Sequence, residues 1–512
     1  MGLETAGHVS CVCAGDRVSP SPGRRCASVL GRRCMAAVAA VLVFAHAGVC
    51  GASERSERPG KLPKIRVAAD GKRFETAEGV PFVPFGVNYF RPGTGWAPQL
   101  WKQFDAAATK KDLALLKSMG GNCVRVFISA GSFYQKAGAL DEEGLAKFDQ
   151  FLALAEEAGI YVHPTGPDHW EGSPAWARGD RFADDQSLAA EESFWRLFAA
   201  RYKGRSVIFA YDLLNEPHIR WDTAAMRTGW SRWVRARYGS VAEAGKAWGV
   251  GGAMGEDIAA IPDVNRAGST VWNTDYQRFR EDVADEWTRR QSAAIRSVDA
   301  EALVTVGFIQ WTVPALMPRL DMYAAFRPER QAKHLDFLEV HFYPLERGAY
   351  EYGNAEQEQR NLAYLEAVVR EVARAGKPVV VAEFGWYGGG SFPMGDRQSK
   401  PGSEEEQARW CVRLIETTEG LAVGWLNWGF YDHPEAKDVT IHTGLLTADG
   451  KEKAWGREFG RLAQRYRGRA LKATGVGARP DLPWDTCMTD PKAADRFREE
   501  YLKVFAGAKR SE

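Results

Sequence analysis

Two glutamates of this chain stand where carboxyl groups can carry out acid–base chemistry as a pair. Glu216 follows the apolar run IFAYDLL in the segment Asn215-Glu216-Pro217, and Glu383 lies at the end of the apolar run PVVVAEF. One carboxyl of such a pair can stay protonated as a general acid, while the other stays ionised and attacks a carbon or activates a water. Metal catalysis is disfavoured and no cofactor is expected, because the histidines are scattered and no HExxH motif occurs.

Other polar and aromatic residues also stand at or near the ends of apolar runs: Arg125, Asn215, His341, Tyr343 and Trp428. Arg125 and Tyr343 carry donors that can keep one glutamate ionised, and Asn215 can hydrogen-bond a sugar hydroxyl. The flat ring of Trp428 suits the floor beneath a sugar. Hydrolysis of a glycosidic bond needs a carboxyl pair of this kind, so the set favours that reaction.

Each of these residues also has a purely structural interpretation. A glutamate at a strand end is often a solvated loop residue, and Arg125 would suit an ion pair inside a barrel. His341 would suit a hydrogen-bonded core histidine, and Trp428 a packing residue. The combination favours chemistry, because both carboxylates and their partners occur together.

Eight short apolar runs separated by segments with helical spacing predict a parallel sheet covered by helices. The runs are FGVNY (85–89), NCVRVFI (122–128), IYVHPTG (160–166), IFAYDLL (208–214), LVTVGF (303–308), FLEVHFY (337–343), PVVVAEF (378–384) and GWLNW (424–428). Helices are predicted at 112–119, 143–158, 192–202, 356–375 and 403–419. Eight strands close a (β/α)8 TIM barrel, whose catalytic groups lie at the C-terminal strand ends. A doubly wound open sheet is the alternative, but no GxGxxG stands at a strand-to-helix turn.

The expected catalytic domain spans residues 65–470, and a small hairpin around Asp70-Gly71 opens it. Residues 220–299, between the fourth and fifth strands, exceed one crossover and predict a helical insertion. Residues 471–512 form a short C-terminal extension with a helix near 493–505.

The N-terminal residues 1–52 are typical of an export signal. Arginines at 24, 25, 32 and 33 precede the apolar run AAVAAVLVFAHA (36–47), which is too short to cross a bilayer and ends in a small-x-small cleavage pattern. A lipid anchor at Cys50 is the alternative, although Val49 fits it poorly. A polar linker, 53–64, follows. We therefore expect a secreted or periplasmic protein.

The charge balance limits the expected partners, and the cysteine positions limit the expected disulfides. The 67 basic and 66 acidic residues give a formal net charge of +1, so neither nucleic acid nor an anionic membrane is an expected partner. Only Cys123, Cys411 and Cys487 lie beyond the first fifty residues, which is not a disulfide framework, although one bridge stays open.

The motifs as a set resemble clan A glycoside hydrolases, most closely the family-5 cellulases and β-mannanases. The matching segments are FVPFGVNYF, GNCVRVF, YDLLNEPH, EVHFYP, VVVAEFGW and LNWGF, and the resemblance spans about Lys64 to Arg467. It implies that Glu216 is the acid/base and Glu383 the nucleophile. The family's arginine, His-x-Tyr and tryptophan correspond to Arg125, His341, Tyr343 and Trp428.

The sequence departs from the family in two segments. Family members often carry a histidine at the end of strand three, where this chain reads YVHPTGPDHW, so His163 or His169, the latter followed by Trp170, is the candidate. The segment WVRARYGSVAEAGKAWG (233–249) resembles one of the family-42 β-galactosidases.

The expected function is retaining hydrolysis of β-linked polysaccharide or oligosaccharide, as by a cellulase or β-mannanase. The alternatives are an exo-acting β-galactosidase or β-mannosidase on the same barrel, and a catalytically silent carbohydrate-binding barrel. Retention predicts carboxyl groups about 5–5.5 Å apart, whereas inversion predicts about 6.5–9.5 Å.

Overall fold

The computed structural model describes residues 61–507, apart from 95–96, 178, 251–256, 347–348, 351–353 and 472–475. Eight parallel strands form a closed barrel in which β8 pairs with both β7 and β1. This confirms the predicted (β/α)8 fold. The strands are β1 (Phe85–Asn88), β2 (Cys123–Ser129), β3 (Tyr161–Asp168), β4 (Tyr211–Asn215), β5 (Val304–Phe308), β6 (Leu338–Phe342), β7 (Val379–Phe384) and β8 (Trp425–Trp428).

Helices cover the outside of the barrel, and polar N-caps fix where several of them begin. The first helix starts at 106, six residues before the predicted start, because the side chain of Asp105 accepts a hydrogen bond from the backbone of Ala108. The long helices are α1 (Ala106–Ser118), α2 (Glu142–Ala158), α3 (Asp185–Tyr202), α4 (Ala224–Tyr238), α5 (Val241–Trp248), α6 (Val271–Arg296), α7 (Ala355–Ala373), α8 (Glu404–Thr418), α9 (Ala454–Tyr466) and α10 (Pro491–Gly507).

A small antiparallel sheet packs against the end of the barrel at which the strands begin. Its strands are Ile65–Val67, Phe74–Thr76 and Pro81–Phe82, one more than the predicted hairpin. The Phe74 ring lies 5.1 Å from the rings of Phe209 and Phe337, which stand just before β4 and β6. The apolar cover on this end leaves the opposite, C-terminal end for the site.

The insertion after β4 is helical, as predicted. Helices α4 and α5 form a pair in which the Trp230 ring stacks on Trp233 at 5.2 Å and on Trp248 at 5.4 Å. The following helix, α6, is 26 residues long and packs along the barrel, where Trp287 Nε1 donates to Glu191 of α3 at 2.8 Å. The segment therefore combines an added helix pair with an extended crossover helix.

The described part of the C-terminal extension packs against the barrel helices. Tyr501 of α10 donates to Glu366 of α7 at 3.1 Å, and Gln277 of α6 donates to the Met488 carbonyl at 2.8 Å. Cys123, Cys411 and Cys487 are buried free thiols, so the bridge that the sequence left open does not form among them.

The predicted signal peptide (1–52), the alternative lipid-anchor site at Cys50 and most of the predicted linker lie outside the described residues. Within the described part of the chain, no helix combines the length and the apolar character needed to cross a bilayer.

A close backbone approach between β1 and β2 requires glycine at position 86. A Cβ there would lie 1.7 Å from the carbonyl oxygen of Cys123. We expect Gly86→Ala to lower the free energy of unfolding by about 3 kcal/mol, because the two strands would have to separate. Gly507→Ala is the matched control, since nothing lies within 4 Å of its Cβ position. Chemical denaturation measures both, and equal midpoints would contradict the packing argument.

Candidate active site

The two glutamates meet at the C-terminal end of the barrel, with one imidazole between them. Nδ1 of His341 lies 3.2 Å from Glu216 Oε1 and 3.5 Å from Glu383 Oε2. One oxygen of each carboxyl and a His341 nitrogen all lie within 4.8 Å of one another. Strands β4, β6 and β7 therefore deliver three ionisable groups to a single point.

Glu216 is held in an uncommon backbone conformation. Its φ of 46° lies in the left-handed region, which non-glycine residues rarely adopt. The backbone N–H of Glu216 donates to the Gly307 carbonyl at 2.8 Å, which fixes the turn directly after β4. The turn places the carboxyl beside His341 instead of continuing the strand.

Glu383 is nearly buried and has two donors. The Tyr343 hydroxyl donates to Oε1 at 2.8 Å, and Nη1 of Arg125 donates to Oε2 at 3.4 Å. The pKa of Glu383 is raised, because burial and the neighbouring Glu216 together outweigh the opposing effects of His341, Arg125 and Tyr343. The donors favour the ionised form of this carboxyl over that of its neighbour.

Glu216 is the more exposed member of the pair. Its side chain is 28% exposed at the barrel mouth, and burial of the carboxyl raises its pKa to about 7, with only partial opposition from Arg125. Burial lowers the pKa of His341 to about 4, so the imidazole between the carboxyls is neutral. Two carboxyls this close share one proton near neutral pH, and the hydrogen-bond donors on both oxygens of Glu383 favour Glu216 as the protonated member.

Arg125 connects four strands beneath the carboxyls. Its guanidinium donates to Asp212 Oδ2 at 2.7 Å, to Asn88 Oδ1 at 2.9 Å and to Asn215 Oδ1 at 2.9 Å, in addition to Glu383. The cation is fully buried, so these acceptors offset the cost of removing it from water. The network fixes Arg125 under Glu383.

The network is this compact because residue 307 on β5 has no side chain. A Cβ there would lie 2.8 Å from Arg125 Nη2, 2.9 Å from Asp212 Oδ2 and 3.0 Å from His341 Nε2. The Gly307 backbone N–H donates to Asp212 Oδ1 at 2.8 Å. Glycine at this position therefore holds the partner of Arg125 and leaves room for the guanidinium.

The remaining predicted binding residues lie at neighbouring strand ends. Trp428 at the end of β8 donates from Nε1 to Thr440 Oγ1 at 2.9 Å, and its ring lies 5.8 Å from that of Phe127. His169 and Trp170 directly follow β3, and their rings stack 5.1 Å apart. The described contacts do not join these three residues to the carboxyls, so their roles as substrate-binding residues stay predictions.

The histidine proposed at the end of strand three is not His163. That residue points into the barrel interior, where it bonds Glu339 and the Ala210 carbonyl. The last residue of β3 is Asp168, which is 1% exposed and whose carboxyl oxygens have no hydrogen-bond partner among the described residues. Burial raises the pKa of Asp168 to about 7.

Asp212, Asn88 and Glu339 are members of the interior network that the sequence analysis missed. A signal for two of them was present: Asp212 and Glu339 interrupt the runs IFAYDLL and FLEVHFY, and a charge within a buried strand must have a partner. Asn88 carries no comparable signal.

Two groups of described residues bring potential metal ligands within 4.8 Å of one another: Glu216 with His341 and Glu383, and His163 with Asp212 and Glu339. In both, protein donors already bind a carboxylate, Arg125 and Tyr343 at Glu383 and Arg125 at Asp212. The donor sets suit internal charge balance, and we assign no metal role to either.

The comparison with protein families decides the class. Residues 76–433, more than half of the chain, match the model of the cellulases, glycosyl hydrolase family 5. The chain belongs to glycosyl hydrolase family 5. It is therefore a glycosidase, and the carboxyl pair at its barrel mouth is the expected site of bond cleavage. Comparison with curated protein sequences gives no match.

Solved structures with the same fold include several glycosidases. The exo-β-1,4-mannosidase Op5Man5 from an Opitutaceae bacterium is 20% identical over 78% of this chain and 62% of its own, with a TM-score of 0.53. This chain thus spans less than two thirds of that mannosidase. A GH5_18 enzyme from Streptomyces cattleya in complex with Manβ1-4GlcNAc is 19% identical over 83% and 92%, with a TM-score of 0.57. A β-galactosidase from Halorubrum lacusprofundi is 19% identical over 80% and 62%, with a TM-score of 0.58.

The raised pKa of Glu216 leads to a pH prediction for this family 5 enzyme. Protonation of the leaving oxygen needs the acid form of Glu216, so kcat/KM should fall about tenfold per pH unit above the pKa of about 7. A dinitrophenyl glycoside is the control, because its leaving group needs no proton and its kcat/KM should stay level. If kcat/KM for an alkyl glycoside stays constant up to pH 9, Glu216 is not the acid that protonates the leaving oxygen.

Proposed function

We propose that this family 5 enzyme is a retaining β-glycoside hydrolase that works by double displacement, with Glu383 as nucleophile and Glu216 as acid/base. The observation that carries the proposal is the spacing of the pair, with one oxygen of each carboxyl within 4.8 Å. This spacing supports direct attack by a carboxylate, since inversion needs about 6.5–9.5 Å to admit a water between carboxyl and sugar.

In the first step Glu383 attacks the anomeric carbon while Glu216 protonates the leaving oxygen. Arg125 and Tyr343 bind one oxygen each of Glu383, so its carboxylate is oriented as well as ionised. The covalent glycosyl-enzyme consumes the negative charge of Glu383. Asn215 is bound to Arg125 through Oδ1, which directs its Nδ2 donor away from Arg125 and suits a sugar hydroxyl.

In the second step Glu216 acts as a base. Once Glu383 is esterified it carries no charge, and a neutral neighbour opposes ionisation of Glu216 less than a carboxylate does, so Glu216 loses its proton more readily. It then takes a proton from the water that attacks the anomeric carbon. Neutral His341 bonds Glu216 in both steps, and this contact holds the carboxyl in place while its proton leaves and returns.

For the substrate we propose short β-mannosides, cleaved from the chain end. The exo-mannosidase and the complex with Manβ1-4GlcNAc among the structural relatives support β-mannosides as the class to test. The insertion begins within a few residues of Glu216, and Thr223 in it donates from Oγ1 to Asp180 Oδ2 in the loop after β3 at 2.7 Å. Two loops that follow neighbouring strands at this end of the barrel are thus joined, which supports a short cleft over a long open one.

A β-galactosidase is the second candidate. The insertion resembles a segment of the family-42 enzymes, and β-galactosidases occur among the structural relatives. Nitrophenyl β-mannoside, β-galactoside and β-glucoside at equal concentration separate the two candidates, and mannan and carboxymethylcellulose test for internal cleavage of a polymer.

The catalytic assignment is tested with two variants and one control. We expect Glu383→Ala to lose at least about 10⁴-fold in kcat on every substrate, because the covalent step is lost. Glu216→Ala should lose about 10²–10⁴-fold in kcat/KM on alkyl glycosides and far less on a dinitrophenyl glycoside. Glu329→Ala should match the wild type, since the Glu329 side chain is 78% exposed.

Two results would contradict the proposal. If the wild type cleaves a β-glycoside and Glu383→Ala retains that activity, Glu383 is not the nucleophile. If Glu216→Ala loses the same factor on alkyl and dinitrophenyl glycosides, its carboxyl does not protonate the leaving group. A wild type that binds these sugars without cleaving any of them would favour the silent carbohydrate-binding barrel.

A further inference from the structure

A second acid–base pair lies inside the barrel and has no part in the mechanism above. His163 on β3 and Glu339 on β6 are both fully buried, and Nε2 of His163 hydrogen-bonds Oε1 of Glu339. The rings of Phe209 and Phe337 lie 5.5 Å and 6.1 Å from the imidazole. Because solvent does not reach the pair, its charge must be balanced within the protein.

The hydrogen bonds of His163 fix the number of protons that the pair holds. Nδ1 lies 2.9 Å from the Ala210 carbonyl oxygen, which can only accept, so Nδ1 carries a proton. The hydrogen bond between Nε2 and Glu339 then requires one further proton, carried either by the ring or by the carboxyl. In one form a His163 cation faces a carboxylate, and in the other a neutral ring accepts from a carboxylic acid. Both forms have zero net charge.

This pair faces the charges that hold Glu383. His163, Asp212 and Glu339 each place one atom within 4.8 Å of the others, and Asp212 is the partner of Arg125. Glu339 Oε2 has no hydrogen-bond partner among the described residues. The titratable groups that face the pair from the surrounding strands are Cys123 and Arg125 on β2, Asp212 on β4 and His341 on β6.

We propose that His163 and Glu339 are positioning residues that hold one shared proton beneath the catalytic carboxyls, so that Arg125 balances only Asp212 and Glu383. The inference rests on the proposed function, since it concerns the ionisation of the proposed nucleophile. Neither residue touches the substrate. Their effect reaches Glu383 through Arg125 and through the charge of the barrel interior.

Loss of the shared proton would change the charge around Arg125. Glu339 would then be a third carboxylate beside one guanidinium, and the added negative charge would raise the pKa of Glu383. The nucleophile would ionise only at higher pH. The acid limb of the kcat/KM profile reports that ionisation and therefore reports the state of the pair.

Two single variants and one double variant that change the ionisable groups of the pair test the proposal. His163→Gln keeps an N–H donor toward Glu339 but carries no titratable proton, so its acid limb should move up by about one pH unit. Glu339→Gln cannot ionise, and its acid limb should remain where the wild type has it. The double variant His163→Gln/Glu339→Gln should restore the wild-type limb. A merely structural role predicts lower activity without this pattern, so an unmoved limb in His163→Gln, or no restoration in the double variant, overturns the proposal.

A measurement on the wild type separates this proposal from the proposed function and needs no variant to fold. In ¹⁵N-histidine-labelled protein, the ring whose Nδ1–H is protected from exchange by the Ala210 carbonyl should show no titration between pH 5 and 8. A midpoint within that range would overturn the shared proton. The result does not depend on which glycoside the enzyme cleaves, or on whether Glu383 is the nucleophile.

Discussion

Two carboxyl groups that face each other inside a protein cannot both carry full charge at little cost, and the rest of the site follows from that constraint. Glu216 and Glu383 approach to within 4.8 Å around one neutral imidazole nitrogen. The hydrogen bonds to the two carboxyls differ. Donors bind both oxygens of Glu383, whereas the carboxyl of Glu216 has a hydrogen bond with His341 alone among the described residues. In the proposed mechanism one proton remains on Glu216, so the pair is divided into an acid and a nucleophile before substrate binds.

The barrel provides this asymmetry because parallel strands deliver side chains to one end from all sides. Arg125 on β2 reaches Glu383 on β7 only because Asp212, Asn88 and Asn215 hold its other nitrogens and because Gly307 leaves space beside it. A fully buried guanidinium needs such acceptors. The same interior contains the His163–Glu339 pair, so the charge at the barrel mouth depends on proton balance in the layer below it.

The sequence was sufficient to predict the barrel, since each of the eight apolar runs overlaps one of the eight strands. It also predicted Arg125 and Tyr343 as donors to one glutamate, because both side chains carry hydrogen-bond donors. Arg125, however, lies near the start of β2 and not at the strand end where it was expected. The interior acids could not be assigned in advance. A charge inside an apolar run shows that a partner exists, but the closure of the barrel decides which one. The turn at Glu216 and the inward orientation of His163 depend on tertiary contacts to Gly307 and Glu339. The spacing of residues along the sequence does not reveal those contacts.

The stereochemistry of cleavage tests the central claim most directly. Wild-type enzyme is mixed with the aryl β-glycoside that it cleaves fastest, and the anomeric proton of the first sugar released is followed by NMR before mutarotation. Direct attack by Glu383 followed by attack of water inverts the centre twice, so the account predicts the β-anomer. Appearance of the α-anomer first would mean a single displacement by water, and it would contradict the assignment of Glu383 as nucleophile.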